Sequence, residues 1–166
     1  MSSVLVAGAG AWGTALAIQA ARAGNRVVLL ARDVAAARAC RRLPGFQLPD
    51  AIKTTDRAPA DGIDLTLLAV PTQHMRSALP ALPSAPVAVC AKGVEAETLA
   101  LPLEILAQAR SDLPGAALTG PNFAHEVARG LPAAAVVAAA DAALREMVAA
   151  TLGGRAFRLY GNADPV

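Results

Sequence analysis

The sequence predicts a single α/β domain built on a doubly wound parallel sheet. Short runs of Val, Leu and Ala alternate with stretches of helical character along the whole chain, the order that produces a parallel sheet covered on both faces. A Gly-x-Gly-x-x-Gly run, Gly8, Gly10 and Gly13, stands where the first of these strands would turn into the first helix. The composition, 55% hydrophobic but 3% aromatic over 166 residues, implies one core made of Ala, Val and Leu.

Val4–Ala7 is an apolar run stopped by Gly8, and a helix is expected over residues 13–23, ended by Gly24-Asn25. "RVVLLA" (26–31) reads as the second strand and "DVAAARACRR" (33–42) as the second helix, with Asp33 as N-cap. The stretch 43–64 is rich in Pro, Gly and Asp, so it reads as irregular with a short strand near 52–54. "DLTLLAV" (64–70) is a buried strand closed by Pro71, followed by a helix over "TQHMRSAL" and a strand over 85–91. A helix over 98–109 would hold Pro102 in its first turn. Strands at 115–120, 133–139 and 156–160, with helices at 122–129 and 141–151 between them, complete one domain without repeat or linker.

Composition excludes several function classes. The net charge of +2 is spread without a block of like charge, so neither nucleic acid nor a membrane surface is expected as partner. No apolar run approaches the roughly 18 residues of a membrane span, and "VLVAGAG" is too short and lacks the basic flank of a signal peptide, so a cytoplasmic protein is expected. Cys40 and Cys90 have no CxxC spacing and read as reduced thiols with no metal or disulfide role. Lys53 and Lys92 are the only lysines among 15 basic residues, so a retained Lys carries more information than an Arg does here.

The glycine run gains meaning from its place between strand and helix. The first Gly permits the tight turn, the second lets backbone approach a pyrophosphate, and the third lets helix pack on strand, while the helix N-terminus offers free N–H groups. An NAD site wants a carboxylate about 20 residues further on, at the end of the second strand. That position holds Arg32, with Asp33 after it. A guanidinium matches a 2′-phosphate in charge and geometry, so NADP is favoured while NAD stays open. Pro71, Lys92 and Gly120 all follow C-terminal strand ends, where such sheets bind ligands, and Lys92 there suits an anionic substrate or a carbonyl oxygen. "GPNFAHEV" (120–127) reads as a loop feeding a helix N-terminus. His74 and His125 lack a nearby carboxylate in sequence and read as surface or helix-lining residues, and Glu95, Glu97 and Glu126 as solvated charges at helix starts. Trp12 fits either a packing role or a cofactor contact.

Four segments, "GAGAWGTALA", "AVPTQHMR", "CAKGVEAET" and "TGPNFAHEVARGLPAA", together resemble the bacterial-type NAD(P)-dependent glycerol-3-phosphate dehydrogenases from Val4 to the end of the chain. The resemblance implies a Rossmann-type domain that takes part in hydride transfer between NAD(P)H and dihydroxyacetone phosphate or glycerol 3-phosphate, feeding glycerophospholipid synthesis. It assigns Gly8, Gly10, Ala11, Trp12 and Gly13 to the dinucleotide, Arg32 to its adenosine end, and Pro71 and Ala124 to the nicotinamide side. Lys92 would meet cofactor and substrate, and Gly120 and Asn122 the substrate; many members carry Ser or Thr at the position of Asn122.

The same resemblance implies a catalytic Lys followed by Asn, opening a second, helical domain. This sequence has no Lys-Asn pair, and Lys53 lies too early to match it, so that Lys is expected beyond Val166. The expectation is therefore a cofactor-binding half that reaches the domain junction at "YGNADPV", inactive alone, whose uncovered apolar edge offers a homodimer contact. Two other readings are a nucleotide-binding module without catalysis and a related two-domain 3-hydroxy-acid dehydrogenase. "AKGVE" and "GPNFAHEVARG" argue against the latter.

Overall fold

In the computed structural model, which describes residues 1–165, β1 (Ser3–Ala7) is an interior strand, third from one edge of an eight-stranded sheet. Val166, beyond which the catalytic Lys is expected, lies outside the described residues, so that expectation has no structural counterpart here. The neighbours of β1 are β2 (Arg26–Leu30) and β4 (Leu65–Leu68), with β3 (Ile52–Thr55) outside β2. On the other side follow β5 (Val87–Val89), β6 (Gly115–Thr119), β7 (Ala133–Ala138) and β8 (Phe157–Asn162). The order β3-β2-β1-β4-β5-β6 is the doubly wound one, and these six strands are parallel. One sheet face packs Val4, Val6, Leu29, Leu65 and Leu67 against helices. The other packs Leu5, Leu68, Val87 and Val89 with Met75, Ile105 and Leu106. Adjacent β1 residues thus feed opposite cores, as the two-residue period of a strand requires.

The expectation of a parallel sheet throughout fails at one place: β7 runs antiparallel to β6, with Thr119 opposite Val136 and Ala117 opposite Ala138. The connecting helix α5 (Ala124–Arg129) has 6 residues, about 9 Å of rise. The chain enters β7 at the edge it has just left. Helix α6 (Ala142–Leu152) makes the return, and β8 is parallel to β7.

Helix α1 (Ala11–Arg22) is the central helix, and Gly13 through Ala20 are all buried. Its far end fastens its neighbours. Buried Gln19 donates from Nε2 to the Leu152 carbonyl at 2.8 Å, and Arg22 donates to the carbonyls of Val127 and Ala128, occupying last-turn acceptors of α5.

Several helices are shorter than their sequence pattern. Helix α2 (Val34–Arg38) is capped as expected by Asp33, which accepts from the Ala36 amide at 2.9 Å, but it stops where Cys40 takes a φ of 48°. The segment 72–81 divides into a 3₁₀ turn (Thr72–His74), helix α3 (Met75–Ala78) and a second 3₁₀ turn (Leu79–Ala81). Helix α4 (Pro102–Ala109) begins at Pro102 rather than at residue 98. Before it, residues 95–100 close a turn by paired backbone bonds, Glu95 N–H to Ala100 C=O and Leu99 N–H to Glu95 C=O, with Leu99 at a φ of 59°. Helices α5 and α6 lie within a few residues of expectation, and Asp141 caps α6 through the Ala143 amide.

Among the described residues, no helix is long and apolar enough to cross a membrane. Both cysteines are free and buried. The Thr66 hydroxyl, on fully buried β4, has no hydrogen-bond partner, and an unsatisfied buried hydroxyl is a net cost. Thr66→Val should therefore raise the unfolding free energy by about 1 kcal/mol in urea denaturation. A loss of stability would contradict this assignment.

Candidate functional site

The turn from β1 into α1 is built by close backbone approaches. Gly8 has a φ of 112°, and a Cβ there would sit 2.7 Å from the Ala69 carbonyl oxygen. A Cβ on Gly13 would overlap the carbonyl oxygen of Gly8 itself. Gly10 differs: a Cβ there would meet nothing within 4 Å. The first and third glycines are demanded by the fold, whereas the second faces open space. The first helical bond runs from Thr14 N–H to Gly10 C=O at 2.9 Å, so the amides of Ala11, Trp12 and Gly13 precede the helical ladder. No side chain caps this end and no acidic residue lies in its first turn. An uncapped 12-residue helix facing open space at its second glycine fits a pyrophosphate.

Beside this end lies a cleft of about 340 Å³, lined by Ala11, Trp12, Cys90, Lys92, Leu118, Thr119 and the loop residues Gly120, Asn122, Phe123 and Ala124. Lys92 Nζ donates to the Gly120 carbonyl at 2.7 Å, tying the loop after β5 to the loop after β6. An ammonium has three donors, so two remain for a ligand. Trp12 packs on the core and lines the cleft. Burial pushes the Cys90 thiol up to about 12, so it stays protonated and is no nucleophile.

The loop carrying Lys92 is strapped to the loop after β4. Thr72 donates its hydroxyl to the Lys92 carbonyl at 2.8 Å. Gln73 donates to the Val94 carbonyl at 2.8 Å and accepts from the Ala96 amide at 3.0 Å. Arg76 grips the Glu95 carboxylate through Nε at 2.7 Å and Nη2 at 2.9 Å, and Thr98 donates its hydroxyl to the same group. Glu95 is only 9% exposed, which corrects its reading as a solvated helix-start charge. The Arg76 guanidinium, and then the Thr98 hydroxyl, hold its carboxyl below the usual carboxylate range against an opposing desolvation. Sequence reasoning missed this strap because Arg76 on α3 and Glu95 on a loop, 19 residues apart, obey no local spacing rule. Glu97 is exposed in the turn before α4, not at a helix start, whereas Glu126 does lie in the first turn of α5.

The other expected site residues are distributed along the same edge. Ala124 opens α5 in the cleft wall. Asn122 turns its Nδ2 to the Ala134 carbonyl at 2.9 Å, so its amide nitrogen braces β7 while Oδ1 is left to accept. Gly120 is held between these groups, since a Cβ there would lie 2.7 Å from Asn122 Nδ2. Pro71 is exposed at the start of the 3₁₀ turn, outside the cleft lining. Arg32 lies exposed just past β2 with no hydrogen bond or ion pair among the described residues, while Asp33 is engaged in capping α2. His74 and His125 are both exposed, and neither pairs with a carboxylate; the His125 ring lies 5.9 Å from that of Phe123.

Residues 3–145 match the family model described as "NAD-dependent glycerol-3-phosphate dehydrogenase N-terminus". A glycerol-3-phosphate dehydrogenase [NAD(P)+] of Acidiphilium cryptum is 50% identical over 169 residues, covering 97% of this chain and 52% of the relative. One from a Bradyrhizobium species is 46% identical, covering 98% of this chain and 53% of the relative. A crystal structure of glycerol-3-phosphate dehydrogenase from Coxiella burnetii superposes with a TM-score of 0.85 at 28% identity, over 97% of this chain and 54% of that one. The chain spans about half the length of the curated relatives it matches.

Two outcomes test the site's construction. Gly13→Ala, which forces α1 off β1, should destabilise the fold by about 1–3 kcal/mol in denaturant titration; unchanged stability would contradict the close approach. A carboxyl with a lowered folded-state value stabilises the strap above the ordinary carboxylate range, and that support is lost as pH falls through the folded value. Hydrogen exchange over residues 92–99 should therefore quicken as pH drops below about 4, beyond its intrinsic pH dependence. Glu95→Gln should remove this extra acid dependence, and its persistence in that variant would refute the assignment to Glu95.

Proposed function

Given that the chain belongs to the family of NAD-dependent glycerol-3-phosphate dehydrogenase N-termini, we propose that it holds the dinucleotide in hydride transfer between NAD(P)H and dihydroxyacetone phosphate. The observation that carries this reading is the open space at Gly10 beside the uncapped N-terminus of α1, adjoining a cleft that holds Lys92. When bound, the nicotinamide supplies or accepts the hydride. The amides of Ala11, Trp12 and Gly13 bind the pyrophosphate, and Trp12 and Ala124 wall the cleft against water. Lys92 Nζ, held at the Gly120 carbonyl, binds the anionic substrate and polarises its carbonyl oxygen. Gly120 and Asn122 Oδ1 complete the substrate contacts, and Pro71 lies toward the nicotinamide side.

The free guanidinium of Arg32 supports NADP over NAD, because it offers a fork to a 2′-phosphate where a carboxylate would serve a ribose diol. Reduction of the carbonyl leaves an oxygen that must gain a proton. The ionisable side chains lining the cleft are Lys92 and Cys90. In this reading Lys92 binds substrate and the Cys90 thiol is buried, so the proton donor is a group outside the cleft lining. The chain alone then binds cofactor without turnover.

Titration with NADPH, followed by quenching of Trp12 fluorescence, should show saturable binding. Gly10→Ala should keep the melting temperature while weakening NADPH by about tenfold, near 1.4 kcal/mol. Unchanged affinity in that variant would refute the loop as the dinucleotide site. No dihydroxyacetone phosphate-dependent oxidation of NADPH is expected from the chain alone, and robust turnover would overturn the assignment of the proton donor.

A further inference from the structure

The strand order lays the site's parts in a line along one edge: Lys92 follows β5, the glycine loop follows β1, and Arg32 follows β2. The next strand in that line is β3, whose last residue Thr55 pairs with Leu30. The ladder continues one step further, with the Ala31 N–H donating to the Thr55 carbonyl at 2.8 Å. Arg57 therefore stands two residues beyond Thr55 just as Arg32 stands two beyond Leu30, on strands about 4.8 Å apart. We infer that Arg57 forms with Arg32 a two-guanidinium clamp for the 2′-phosphate of the cofactor, an inference that rests on the NADP reading above.

Two features besides register carry this. The backbone at Arg57 is fixed by a tight turn, its N–H donating to Thr55 Oγ1 at 3.1 Å and its carbonyl accepting from that hydroxyl at 2.9 Å. Its exposed guanidinium, like that of Arg32, has no hydrogen bond or ion pair among the described residues. Several other arginines of the chain are engaged: Arg22 on α5 carbonyls, Arg76 on Glu95 and Arg110 on Asp112. Charge points the same way. Asp33 and Asp56 bring two carboxylates to this edge, so Arg32 alone would leave it net negative and hostile to a phosphate dianion. Arg57 restores neutrality and supplies the second fork that an oxyanion with three free oxygens can engage.

The test compares 2′,5′-ADP (adenosine 2′,5′-bisphosphate) with 5′-AMP on the whole chain, because these differ only in the 2′-phosphate. The intact chain should bind 2′,5′-ADP more tightly. Arg57→Ala, an exposed change that keeps the backbone turn, should lower that preference by about tenfold without altering the melting temperature. Arg57→Lys should restore part of it, since the charge returns without the fork. Arg155→Ala, in the loop before β8 at the opposite edge of the sheet, should leave the preference unchanged. If Arg32→Ala abolishes the preference and Arg57→Ala does not, the clamp is overturned while the NADP reading stands. An equal loss in Arg155→Ala would reduce the effect to net charge and also overturn the clamp. No preference in the intact chain would overturn both.

Discussion

The contact of α1 with the end of β1 is the constraint from which the rest of the architecture follows. Gly13 lies so close to the Gly8 carbonyl that no side chain fits between them, and Gly8 is in turn pressed on Ala69 after β4. This brings α1 down onto the sheet, buries residues 13–20 and makes it the surface on which α5 and α6 pack. The same contact aims the N-terminus of α1 over the C-terminal edge of the parallel strands. Its unbonded amides then face solvent in the place where a doubly wound sheet takes its ligand. The packing of α1 and the exposure of its amides are two consequences of one backbone geometry.

The loops beyond that edge are held by polar bonds, not by apolar burial. Lys92 is fixed at both ends, its carbonyl by Thr72 and its ammonium by the Gly120 carbonyl. The following residues are held by Gln73 and by the Arg76–Glu95 pair. A cation presented to a small anionic substrate gains from such preorganisation, because fewer rotamers must be frozen on binding. Around this frame stand exposed apolar side chains, Leu99 at 70% and Phe123 at 63% among them.

Much of this was legible in the sequence because it is local. The glycine spacing, the strand before it and Asp33 as a cap all follow from rules spanning a few residues, and each is present in the structure. The reversed direction of β7 was not, because the alternating pattern of strands and helices carries no direction. Glu95 misled because its partner Arg76 lies on a separate element, α3, and a charged residue near a helix start looks solvated until that partner is placed. At Asn122 the residue type was readable but its employment was not: the amide nitrogen reaches Ala134, across a strand reversal that the sequence did not reveal.

The central claim is that a dinucleotide lies along the C-terminal edge of the sheet, from the cleft at Lys92 across the glycine loop to the end of β2. Amide hydrogen exchange with and without saturating NADPH tests it most directly. Slowed exchange is expected at Ala11, Trp12 and Gly13, with further protection around residues 120–124 and at Arg32, and no change at the opposite edge of the parallel strands. Protection confined to that opposite edge, or saturable binding with no protection at Ala11–Gly13, would contradict it.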